Sequence, residues 1–152
     1  MWIRGVIIVD SLSTVKSILD TDWTSANTDS LTPTVTIIYE AKQVSLANAD
    51  HILLYEVDED HAPDGIGGKD YHEEPIVAID IRTTFLRAAI GDIRPHLIKM
   101  KDEVLRIIRV NVENPDSDYK DIFMIRKRDK SDKTIGMGRI IFDAQLDRWV
   151  SL

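Results

Sequence analysis

At 152 residues and 43% hydrophobic content, the chain is long enough to bury one core and too short to favour two independent domains, so residues 1–152 are read as a single domain. Cysteine is absent, which excludes disulfides and thiolate metal sites and leaves any zinc to histidine and carboxylate ligands. A net charge of −7, from 19 basic and 26 acidic residues, argues against a domain whose main task is gripping nucleic-acid phosphates.

The chain opens on the apolar run Met1 to Val9, but Asp10 interrupts it well short of the ~20 residues a membrane span needs. The run also lacks the basic start and small-residue cleavage site of a secretory signal, so it is read as part of the mature fold in a cytosolic compartment. From Ser11 to Trp23, Leu12, Val15, Ile18 and Leu19 recur at helical spacing, with Asp10 or Ser11 as the cap. Thr24 to Thr32 is rich in Ser, Thr, Asn and Asp, which favour turns. Pro33 then leads a β-branched, aromatic stretch, Thr34 to Glu40, read as a strand, and His51 to Val57 reads the same way.

Asp58 to Asp70 is too long and Gly-rich for a tight turn, and loops beyond roughly 12 residues in compact domains are usually functional or disordered. After it, Pro75 to Thr83 alternates as a strand with Val77, Ile79 and Ile81 on one face. The strongest helix follows: Ile93, Leu97, Met100, Val104, Ile107 and Ile108 form an apolar stripe, while Lys99, Lys101, Asp102, Arg106 and Arg109 take the wet side. Asp92 is its expected cap, and Pro95 falls in the first turn, where a missing N–H costs nothing. Asn114 to Asp118 closes the helix, Ile122 to Arg126 forms a strand, and Gly138 to Trp149 supplies a last, long one. This order predicts an α+β fold: a mostly antiparallel sheet of four to five strands packed against two main helices.

No catalytic motif is complete. Counted from Asp58, the sixth and twelfth positions of the acidic loop are Pro63 and Lys69, where an EF-hand needs Gly and Glu. His61 and His72 with neighbouring acids outline a weak transition-metal set, but scattered histidines in a polar chain are more often surface residues, so no metal site is assigned. Gly65 to Asp70 is not a phosphate loop, because Lys69 is followed by Asp. Glu40 and Lys42 form the Glu-x-Lys ending of a strand found in restriction-endonuclease-like nucleases, with Asp29 as the required second magnesium ligand, yet Asp29 lies in a Ser/Thr-rich loop rather than on a strand. Arg126, Lys127 and Arg128 are the densest basic cluster, read as a solvated hairpin face or as an interface with acidic residues of a neighbour.

The N-terminal helix, the Pro33-led strand to Lys42, the strand ending Ile79-Asp80-Ile81-Arg82-Thr83, the helix through Val104 to Ile108 and the closing strand Gly138 to Leu146 together carry a resemblance. In this order they resemble the tail-terminator or tail-completion proteins of long-tailed bacteriophages and archaeal tailed viruses. The resemblance implies a non-enzymatic virion protein without cofactor, assembled in the host cytoplasm. It would form a homohexameric ring at the head-proximal end of the tail, touching the tail tube protein below and a connector or neck protein above. DNA would only pass through the channel, and no membrane would be involved. Asp58, Glu59, Asp60, Asp64 and Asp70 would then line the channel and repel the passing phosphates. Another neck or tail assembly protein, a cellular binding module and a magnesium-dependent nuclease using Glu40 and Lys42 are the alternatives.

Overall fold

The computed structural model describes residues 10–39, 50–57, 70–83, 93–131 and 137–151. Helix α1 (Ser11–Asp22) starts where the sequence places it: the Asp10 carboxylate accepts from the Ser13 backbone N–H at 2.7 Å. That bond satisfies one of the donors every helix start leaves open. Strand β1 (Thr34–Ile37) is shorter than predicted, and β2 (His51–Glu56) lies beside it in parallel register, Thr34 across from His51. Strands β3 (Asp70–Glu73) and β4 (Ile76–Thr83) follow, then helix α2 (Ile93–Val110), β5 (Asp121–Asp129) and β6 (Gly138–Ser151).

The sheet is built around β6. Strand β4 pairs antiparallel with Gly138 to Gln145, and β3 pairs antiparallel with Arg148 to Ser151, in one continuous register. Strands β3 and β4 are therefore two pieces of one line, broken at Glu74 and Pro75, along a single edge of β6. Strand β5 runs along the other edge, with a bulge between Met124 and Arg126. Outward from β4 come β2, antiparallel, and then β1. The mostly antiparallel expectation holds, with β1 and β2 as the parallel exception and six strands filling five rows.

Alternation along the strands decides which side is the core. Ile52, Leu54, Val77, Ile79, Ile81, Ile140, Phe142, Ala144 and Leu146 share one cluster with Leu12, Val15 and Leu19 of α1 and Leu97, Met100, Val104 and Ile107 of α2. Both helices thus cover the same face. The predicted stripe of α2 is buried apart from Ile93, which is half-buried, but it also carries His96 and Glu103 inward. Asp70, expected in the acidic loop, is instead the first residue of β3, a strand the sequence reading did not contain. Asp92, Glu40, Lys42, His61, Asp58, Glu59, Asp60 and Asp64 lie outside the described residues.

Candidate functional site

The residues between the core positions point to the opposite face of the sheet, which no described helix covers. A carboxylate in the middle of an apolar strand must find partners or lose its charge, because burial without compensation is costly. Asp80, fully buried in β4, finds two. The Arg82 fork donates from Nε and Nη2 at 3.2 and 2.9 Å, and the Arg139 fork of β6 at 3.0 and 2.8 Å. Tyr55 of β2 adds its hydroxyl at 3.4 Å. Burial pushes the Asp80 carboxyl up, but the Arg139 and Arg82 hydrogen bonds outweigh it and hold the group below the ordinary carboxylate range. The same contact raises Arg139, and burial raises the Tyr55 hydroxyl.

Asp143 of β6 repeats the device one strand over. It is buried, and Arg126 Nε and Arg128 Nη2 donate to its two oxygens at 2.9 and 3.0 Å. Two of the three residues in the predicted basic interface cluster are therefore engaged within their own chain, and Arg126 still keeps more than half of its side chain exposed. Each unit carries two guanidiniums and one carboxylate, so this end of the face is positive in a chain that is negative as a whole.

The other end is acidic. The shared register of β3 and β4 sets Glu74 across from Asp147, and Asp121 of β5 lies across from Asp147 on its other side. His72, two residues before Glu74, points its Nδ1 to Glu74 at 3.0 Å and its Nε2 to Asp147, while Trp149 stacks on its ring at 4.7 Å. From Arg139 to Asp147 the face runs for about 27 Å at ordinary strand rise. Between the ends lie Ile76, Gln145 and the exposed Phe123, and Trp149 closes the acidic end with 58% of its surface open. The Val112 carbonyl, accepting from the Ile122 N–H, and Glu113, bridged to Asp121, tie the start of β5 to the chain before it, but from Phe123 onward the outer edge of β5 pairs with no described strand.

Asp29, required by the nuclease reading, is placed elsewhere. It adopts a left-handed backbone (φ 54°) after the short 3-10 helix Ser25–Asn27 and meets His96 Nδ1 at 2.7 Å and Lys99 Nζ at 2.5 Å. Lys99, with His96, keeps its carboxyl low. The second nitrogen of buried His96 faces Asp50 at 2.7 Å, and Asp50 accepts from Thr83 at 2.9 Å. Lys99 already pairs with Asp29 and the Thr83 hydroxyl already donates to Asp50, so the group reads as a polar clasp joining α2 to the ends of β2 and β4.

The sequence reading missed Asp80, Asp143 and His96 as a set. Its available signal was charge at the same strand parity, Asp80-x-Arg82 and Arg126-x-Arg128, inside otherwise apolar runs. Among the described residues no helix is long and apolar enough to cross a membrane. No family model matches this chain, and no curated protein matches it either.

Proposed function

We propose that the chain is a structural subunit that assembles with copies of itself, in the manner of the tail-terminator ring its element order resembles. In this role it caps the head-proximal end of a viral tail tube and joins it to the head, as a virion protein without catalytic activity. The observation that carries the reading is a sheet face polarised along its length, which no described helix covers: arginines fixed at one end, carboxylates at the other, and exposed Phe123 and Trp149 between and beyond them. A surface with its charges separated end to end suits head-to-tail contacts between identical copies, and such heterologous contacts close into a ring when the rotation divides a full turn. Aromatic side chains supply the desolvated anchors such contacts need.

Native mass spectrometry with negative-stain imaging of the same sample tests this. A six-membered ring with a central hole is expected, and Phe123→Asp, which changes an exposed position, should give folded monomers. A wild-type chain that stays monomeric at every concentration, and also when mixed with purified tail tubes, would overturn the reading.

A further inference from the structure

We propose that His72, Glu74 and Asp147 form a binding site for one divalent transition-metal ion. The three side chains come from β3, from the break between β3 and β4, and from β6, and each can offer one ligand atom within 4.8 Å of the other two. Cross-strand register supplies an independent reason. Glu74, Asp147 and Asp121 form a row of carboxylates across three adjacent strands, and like charges directly opposite one another destabilise a sheet. No lysine or arginine side chain is among the described partners of the Glu74 and Asp147 carboxylates, so a metal cation held by both removes the repulsion.

The surroundings hold the donors in place as outer partners of a metal site do. Gln145 Nε2 donates to Glu74 Oε2 at 2.9 Å, which leaves Oε1 turned toward the histidine. Trp149 lies nearly parallel to the His72 ring, 19° between planes, and fixes its tilt. All three side chains are partly exposed, at 15, 36 and 23%, and the group lies near the surface, although His72 Nε2 and Asp147 Oδ1 themselves are buried. One imidazole nitrogen with two carboxylate oxygens suits Zn²⁺, Ni²⁺, Co²⁺ or Mn²⁺, whereas Ca²⁺ and Mg²⁺ favour all-oxygen sets. The site does not rest on the ring assembly and can be tested in any oligomeric state.

The test is calorimetric titration of the chelator-treated full chain with Zn²⁺, with circular dichroism to check the fold of each variant. One ion per chain is expected, with affinity weakened about tenfold or more in both His72→Ala and the nearly isosteric Asp147→Asn, and with Ca²⁺ failing to compete. Ni²⁺ should quench tryptophan fluorescence in the wild type, and Trp149→Phe should remove that quenching while retaining the ion. Zinc binding that is absent, or that is unchanged in folded Asp147→Asn, overturns the site, as does quenching that persists in Trp149→Phe.

Discussion

Asp80 sits where an aliphatic residue would be ordinary, and its two arginine forks explain how the position is tolerated. Removing the carboxylate leaves two guanidiniums facing one another over a buried space, so Asp80→Ala is expected to cost about 2–3 kcal/mol, read as a lower urea midpoint. The figure lies below the roughly 3–5 kcal/mol for breaking a fully buried pair because Arg82 and Arg139 remain partly in water. Since the folded Asp80 carboxyl titrates below its unfolded value, its contribution is complete above the unfolded pKa of ~3.9 and fades as pH falls through the lower folded value. Asp129, held at about 2 by Arg94 and the Ser131 N–H, and Glu103, lowered by Arg106 and the Thr24 N–H against its burial, act in the same direction. Melting temperature should therefore drop between about pH 4 and pH 2, and Asp80→Asn should flatten that slope. A melting temperature independent of pH in this window would contradict the assignment. None of this was legible from composition; parity alone pairs Asp80 with Arg82, while Arg139 reaches it only through strand pairing.

Among the elements, α1, α2, β2, β4 and β6 were legible because each carries its own period, and the Asp10 cap follows from residue type alone. Strand β3 was not. Asp70-Tyr71-His72-Glu73 is short and polar, and it is a strand because the far end of β6 offers it a partner, not because its residues favour one. The parallel pairing of β1 with β2 was equally hidden, since strand direction depends on the path of the connection rather than on the strands. Glycine marks another contact that pattern alone does not reveal. A Cβ on Gly138, at the start of β6, would meet Ile93 Cγ2 at 2.7 Å, Thr83 Cγ2 at 2.9 Å and Leu97 Cδ2 at 3.0 Å. Gly138→Ala should push the first turn of α2 off the sheet and destabilise the fold by about 1–3 kcal/mol, seen as a lower melting temperature. An unchanged melting temperature would mean that α2 is not seated there.

For the whole molecule, the separation of positive and negative ends on one face makes assembly sensitive to salt. If neighbours meet basic end to acidic end, raising ionic strength from about 0.05 to about 0.5 M should shift sedimentation from ring toward monomer, because the screening length shortens severalfold. Assembly that is indifferent to salt would assign the contact to Phe123 and Trp149 instead. The long strand β6 carries a further consequence. Of its fourteen residues, those up to Leu146 lie over helix-packed core, whereas Arg148 to Ser151 continue outward with β3 on one edge. A short ladder with no described helix beneath it opens at lower free energy than the rest. In deuterated solvent, amides in the β3 ladder should therefore exchange before those of β4, and a bound ion at His72, Glu74 and Asp147 would slow that exchange, joining the overhang to the cooperative unit beneath it.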